Sequence, residues 1–261
     1  MRPVLFQLGP IAVRAYGAML VLAFAVGILW AMREARLRRL GCRLPPERMI
    51  DTGLAALIGG LIGARILFVI LDPNLGWRDL PFIWRGGLSF HGGLIGGITA
   101  VFAYAFAVRV NPGLLFDAGA PSMALGYAIA RIGCLLNGCC YGCPTNLPWG
   151  LRFPDLATGG LTPPSHPTQI YSSLGSLVLF GILLRMRPLA RVPGQLFIAY
   201  VGLYGVLRFI VEIFRKGYTA EVAIGPLTQA QVASIGLVVF AIIGWFALKA
   251  MGARRDAVAG G

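Results

Sequence analysis

The chain has 261 residues, of which 57% are hydrophobic and 13% charged, and its mean hydropathy is +0.75. A soluble domain holds about 45–50% apolar and about 25% charged residues, so a water-soluble globule is excluded. The net charge of +13 would point to nucleic acid in a soluble protein; in a membrane protein it follows from cytoplasmic loops collecting Lys and Arg, and no nucleic-acid partner is expected.

Crossing the hydrocarbon takes about 20 residues of helix. Seven apolar runs are long enough, at approximately 13–32, 50–71, 90–108, 114–134, 169–186, 194–214 and 229–249. The first passes Ala23-Phe24-Ala25, which loosely resembles a signal cleavage site. It stays apolar to Trp30 and ends in an arginine cluster, so it reads as a retained span. The third and fourth are separated only by Arg109, Val110, Asn111, Pro112 and Gly113, a tight polar turn. No run shows the long two-residue alternation of a barrel strand, so helices are the expected way of satisfying the backbone. The expected fold is all-α integral membrane, with seven transmembrane helices in one membrane-embedded domain over residues 1–261. Between about 138 and 168, Pro144, Pro148, Pro154, Pro163, Pro164 and Pro167 mark an irregular extracytoplasmic segment. Its Trp149 and Phe153 suit either an interfacial anchor or a gate for lateral entry of a lipid or peptide.

Orientation follows from the basic residues. Arg33, Arg36, Arg38, Arg39, Arg43 and Arg48, then Arg109, then Arg185, Arg187 and Arg191, then Lys249, Arg254 and Arg255 fall on one side. The other side holds Arg78, Arg85, Arg152, Arg215 and Lys216, with Arg2 and Arg14 at the N-terminus. The positive-inside bias puts the N-terminus outside and the C-terminus in the cytoplasm, as seven spans require.

Ionisable residues in spans are costly unless paired or facing a cavity. Arg65 follows Gly59, Gly60 and Gly63 in the second span, His91 opens the third, and Arg131 lies near the outer end of the fourth. Tyr204, Arg208 and Glu212 share one face of the sixth at four-residue spacing. Taken singly, Arg208 with Glu212 reads as an intrahelical ion pair, and Arg65 as a clamp on backbone carbonyls or an acid. Of the acidic residues, only Glu212 is read as lying clearly within a span, so the arginines outnumber their counter-ions. A ligand would supply the missing charge, and guanidinium suits a phosphate, at this depth a phospholipid headgroup. Gly92/Gly96 and Gly93/Gly97 are small-residue pairs that permit close helix contact. His91 is read either as a satisfied structural histidine or as a base near neutral pH.

Cys134, Cys139, Cys140 and Cys143 fall within ten residues. Three readings compete: a metal site built on the Cys140–Cys143 spacing, a disulfide formed in an oxidising outer compartment, or small polarizable packing residues. No metal or organic cofactor is demanded, and Cys42 falls in a cytoplasmic loop.

Four stretches carry a family resemblance. They are Arg14-Ala15-Tyr16-Gly17 followed by Gly63-Ala64-Arg65; Trp84-Arg85-Gly86-Gly87-Leu88-Ser89-Phe90-His91-Gly92-Gly93-Leu94-Ile95-Gly96-Gly97; Arg131-Ile132-Gly133-Cys134-Leu135-Leu136-Asn137-Gly138-Cys139-Cys140-Tyr141-Gly142 with His166-Pro167-Thr168-Gln169-Ile170-Tyr171; and Tyr204-Gly205-Val206-Leu207-Arg208-Phe209-Ile210-Val211-Glu212. Together they resemble the prolipoprotein diacylglyceryl transferases of bacteria. The resemblance implies transfer of the diacylglyceryl group of phosphatidylglycerol to the lipobox cysteine of a preprolipoprotein signal peptide. A thioether forms and glycerol-1-phosphate leaves, at the bacterial inner membrane. It implies Arg131 and Arg208 as headgroup residues and His91 as the base, a catalytic set of three. Tyr16, Arg65, Gly92, Gly93, Asn137, Gly142, Tyr204 and Glu212 take the substrate-binding positions. The chain departs from the usual signature at Cys134, Cys139 and Arg85, where the family has Asn, Glu and an acidic or polar residue. A related transferase with another acceptor, or a lipid-binding or transport protein, are the alternatives.

Overall fold

The computed structural model describes residues 4–8, 11–37, 44–82, 86–155, 159–215 and 222–259. Among them are seven helices long and apolar enough to cross a membrane. These are α1 (Ala15–Arg36), α2 (Glu47–Leu71), α3 (Phe90–Ala107), α4 (Pro112–Asn137), α5 (Thr168–Met186), α6 (Gln195–Ile213) and α7 (Gln229–Ala259). Each expected run coincides with one helix. Several run on past the apolar stretch: α1 continues from Trp30 through Arg33 to Arg36, because Arg, Glu, Ala and Met are good helix formers in water too and terminal arginines complement the helix dipole. Arg38, Arg39, Cys42, Arg43, Trp84, Arg85 and Lys216 lie outside the described residues.

Two short antiparallel hairpins add strands to a fold expected to be purely helical. β1 (Val4–Leu8) pairs with β2 (Ile11–Arg14) ahead of α1, and β3 (Val222–Ile224) pairs with β4 (Leu227–Thr228) ahead of α7. Strands of two to five residues are too short to leave a period-two signal over the hydropathy of their neighbours.

The chain packs as two compact units. The first comprises residues 1–30 and 119–261, the second residues 31–118. Large apolar side chains such as Val21, Ile58, Phe106, Val178 and Ile243 point outward on the helices, a surface that suits lipid and not water.

In the second unit, α2 and α3 meet at glycines. A Cβ on Gly63 would lie 2.8 Å from Cα of Gly96, and one on Gly96 would lie 2.9 Å from Cα of Gly63. The small-residue pair Gly92/Gly96 is thus explained, with Gly59 and Gly63 as its partners across the interface. Ser89 begins α3, its hydroxyl accepting from the Gly92 amide at 3.5 Å while its own amide donates to the Ala64 carbonyl at 3.0 Å. The acidic residues correct one expectation. Glu34 in α1 and Asp117 in α4 are 1% and 3% exposed, so Glu212 is not alone within the helices; both sit beside Ala35, Leu44 and Leu114 around a small cavity.

In the first unit, α4, α5 and α6 pack through Ala120, Ala124, Leu179, Leu183, Leu196 and Tyr200. The Ser173 and Ser176 hydroxyls of α5 donate to the Ala128 and Ala124 carbonyls of α4 at 2.9 and 2.8 Å. Interhelical bonds of this kind hold apolar helices together where no hydrophobic force distinguishes lipid from protein.

The described residues of the segment over 138–168 are tied by paired backbone. Leu151 and Ser165 exchange amide–carbonyl bonds of 3.0 and 2.9 Å, and the Thr162 amide donates to the Phe153 carbonyl at 2.8 Å. Phe153 is fully buried and stacks on Tyr141 with ring centroids 4.7 Å apart. It therefore packs inside this segment and is no interfacial anchor. Trp149 remains exposed, donating through Nε1 to the Tyr171 hydroxyl at 2.8 Å.

Candidate active site

The first unit gathers Tyr16, Arg131, Asn137, Gly142, Tyr204, Arg208 and Glu212. Tyr127 and Tyr204 touch edge to face across α4 and α6, ring centroids 5.4 Å apart. Each is followed four residues later by an arginine, Arg131 on α4 and Arg208 on α6. Four residues are about 6 Å of helix, so each guanidinium stem starts one turn beyond the tyrosine pair.

The two arginines are neutralised differently. Arg208 meets Glu212 at 2.6 Å, and Arg215 reaches the same carboxylate oxygen at 3.4 Å. The other oxygen of Glu212 accepts from the Thr228 hydroxyl at 3.3 Å. Glu212 is 2% exposed, so its charge is held by three donors from α6, the turn after it and β4. Arg131 instead lies over the Tyr127 ring, 4.7 Å from its centroid, and among the described residues no carboxylate comes within 4.0 Å of it. An aromatic face offers a cation only part of what a carboxylate offers, which leaves the planar donor fork of Arg131 for an anion.

Beyond Arg131 the helix ends in a left-handed turn. Gly138 has φ of 76°, its amide donates to the Leu135 carbonyl at 3.1 Å, and the Cys139 amide donates to the Cys134 carbonyl at 3.2 Å. This is a Schellman cap, which folds the residue after the glycine back over the last turn. The Thr168 hydroxyl of α5 donates to the Cys140 carbonyl at 2.7 Å, and Gln169 Nε2 donates to the Cys139 carbonyl at 2.6 Å. Gly142 donates to the His166 carbonyl at 2.9 Å, and a Cβ there would strike the Phe214 carbonyl oxygen. Its place in the signature thus has a steric cause: the loop lies against the end of α6. No disulfide joins Cys134, Cys139, Cys140 or Cys143. The sulfurs of Cys134, Cys139 and Cys140 lie within 4.8 Å of one another, a group that Cys143 does not join. Hydrogen bonding with Cys134 and Cys139, together with the positive charges of Arg131 and Arg215, holds the Cys140 thiol well below its ordinary range.

Tyr16 opens α1 with its ring against Gly133, 40% exposed, and Asn137 is exposed at the last position of α4. Tyr127 and Thr228 were not singled out from sequence, and Thr168, Gln169 and Arg215 were given no site role there. A signal for Tyr127 was present in the doubled Tyr-x-x-x-Arg spacing; Thr228 is remote in sequence and carries none.

The second unit holds Arg65, His91, Gly92 and Gly93. Arg65 is 4% exposed and donates to the carbonyls of Gly86 at 2.6 Å, Gly87 at 3.1 Å and Asp79 at 2.7 Å. Its guanidinium ties the connection between α2 and α3 to the side of α2, as the clamp reading anticipates. His91 is exposed in the first turn of α3, its ring 5.8 Å from that of Phe90. Gly92 beneath it is buried against Gly63 and Leu67 of α2, and Gly93 faces Ala64.

Known proteins resemble this chain over most of its length. The sequence profile of the family described as prolipoprotein diacylglyceryl transferase matches residues 3–247. The phosphatidylglycerol–prolipoprotein diacylglyceryl transferase of Vibrio cholerae is 38% identical over 257 residues, covering 92% of this chain and 89% of that protein. The enzyme of the same name from Trichormus variabilis is 35% identical over 252 residues, covering 89% and 84%. That of Clostridium tetani is 33% identical over 249 residues, covering 93% and 98%. With a profile match that runs from the first hairpin into α7 and relatives aligned over most of both lengths, the chain belongs to the prolipoprotein diacylglyceryl transferase family.

Proposed function

We propose that the protein transfers the diacylglyceryl group of phosphatidylglycerol to the lipobox cysteine of preprolipoprotein signal peptides. In this reading it works in the bacterial inner membrane, with its N-terminus outside and its C-terminus in the cytoplasm. The observation that carries the reading is the pair of Tyr-Arg turns on α4 and α6, with Arg131 left without a carboxylate among the described residues. Arg131 and Arg208 take the phosphate, and they stabilise the charge that grows on it as it leaves. Glu212 keeps Arg208 in place, and Tyr16, Tyr204 and Asn137 line the lipid headgroup.

In the reaction the thiol sulfur forms a bond to the terminal glycerol carbon of the diacylglyceryl group. The carbon–oxygen bond to the phosphate breaks, and glycerol-1-phosphate departs with the electron pair. The thiol, of ordinary pKa about 8.5, gives up its proton, and His91 is the base that receives it. Gly92 and Gly93 hold His91's turn of helix against α2, and Arg65 of α2 ties down the connection that leads into it.

The test uses purified protein in phosphatidylglycerol micelles with a synthetic lipobox peptide. Release of glycerol phosphate and a diacylglyceryl gain in peptide mass are expected together. Both vanish in Arg131→Ala, and the mass gain vanishes when the peptide cysteine is serine. Phosphate release without peptide modification would overturn the acceptor; neither product, beside an active relative, would overturn the whole reading.

A further inference from the structure

We propose that Cys134, Cys139 and Cys140 form a three-thiolate site for a thiophilic divalent cation, with zinc as the natural occupant. The first argument is geometric. Sulfurs bound to one zinc at a Zn–S length near 2.3 Å stand about 3.8 Å apart in a tetrahedral set. Here the Cys139 and Cys140 sulfurs are 3.6 Å apart and all three sulfurs lie within 4.8 Å of one another, so only small side-chain movements close them on an ion.

The second argument is that the backbone is already shaped for convergence. The cap at Gly138 returns Cys139 over Cys134. Cys140 then adopts φ of 66°, a left-handed conformation that costs a non-glycine residue about 1–3 kcal/mol and persists where the surroundings enforce it. Thr168 and Gln169 enforce it by donating to the Cys140 and Cys139 carbonyls. A set of ligands held by such outer bonds binds metal without first ordering a loop.

The third argument is charge. Three thiolates with one divalent cation carry a net charge of −1, and Arg131 and Arg215 are the positive groups acting on Cys140. Gln169, whose Nε2 holds the Cys139 carbonyl, is 1% exposed, and its Oε1 is buried without a hydrogen-bond partner, an acceptor still open for a water. Among the described residues no fourth Cys, His, Asp or Glu joins the group, so the fourth coordination position belongs to an exogenous ligand, as in zinc sites with three protein ligands.

The experiment titrates reduced full-length protein in detergent with Co(II) and then Zn(II). One Co(II) per chain with thiolate charge-transfer and tetrahedral visible bands, bleached by Zn(II), is expected. Cys134→Ser, Cys139→Ser and Cys140→Ser should each weaken binding at least about 100-fold, more than the loss of an outer-shell partner, while Cys143→Ser leaves it unchanged. Should a serine variant misfold, maleimide labelling of the wild type decides: zinc must protect Cys139 and Cys140 and leave the labelling of Cys143 unchanged. Absence of the cobalt bands, equal labelling with and without zinc, or a disulfide within the trio in freshly isolated, metal-free protein would overturn the proposal.

Discussion

The α2–α3 pair and the α4–α6 pair each place arginine in an apolar bundle, and they settle its charge in opposite ways. Arg65 spends its donors on three backbone carbonyls of its own unit. Arg131 rests on a tyrosine face, and Arg208 shares one carboxylate with Arg215. A guanidinium whose two terminal nitrogens are both taken by fixed carbonyls is architecture. One balanced by a ring, or by a carboxylate that it must share, still has donors for a ligand.

Substitution separates the two roles. The largest effect falls on chemistry: Arg131→Gln should lower kcat/KM about 100- to 1,000-fold, the range for loss of a donor to a developing oxyanion, with the melting temperature nearly unchanged. Arg65→Leu should do the reverse. It removes three hydrogen bonds from a charged donor, each contributing about 1.5–3 kcal/mol, so stability should fall by about 3 kcal/mol or more in thermal unfolding, with lost activity tracking the lost folded fraction. If Arg65→Leu leaves stability intact but abolishes turnover, the contrast between the two regions collapses.

Glu212→Gln probes the border between them. Breaking a buried ion pair costs about 3–5 kcal/mol, but the Arg208 side chain is 20% exposed, which reduces this to about 2 kcal/mol. Both stability and the KM for phosphatidylglycerol should therefore worsen. Tyr127→Leu removes a cation–π contact of about 0.5–2 kcal/mol, so KM should rise by about two- to thirtyfold, with kcat less affected. The smallest effect is on pH. Cys140, held low by its neighbouring thiols and arginines, should alkylate at pH values where a free thiol of pKa about 8.5 is protonated. A depressed pKa stabilises the fold above the ordinary thiol value, and that contribution is lost as pH falls through the folded value.

Seven spans were legible because each needs about 20 apolar residues, a signal that a short hairpin such as β3–β4 cannot raise. The shared face of Tyr204, Arg208 and Glu212 followed from helical spacing alone. Thr228 was hidden because nothing in a sequence links a residue of the β3–β4 hairpin to a carboxylate one helix earlier. The cysteines illustrate a subtler failure. Spacing favours Cys140 with Cys143, yet the glycine cap turns the chain so that Cys139 and Cys140 face Cys134 instead. Two-residue spacing is a rule for regular loops, and a left-handed residue at Cys140 breaks it.

The glycine contact between α2 and α3 has a mechanical consequence. With backbones touching at Gly59, Gly63, Gly92 and Gly96, and the intervening connection tied to Arg65, the two helices lie too close there for a side chain at any of those four positions. The pair can tilt as a single lever but cannot slide internally. Any admission of substrate that displaces His91 must swing α2 along with it, and the His91 ring travels at the end of a stiff arm of two helices.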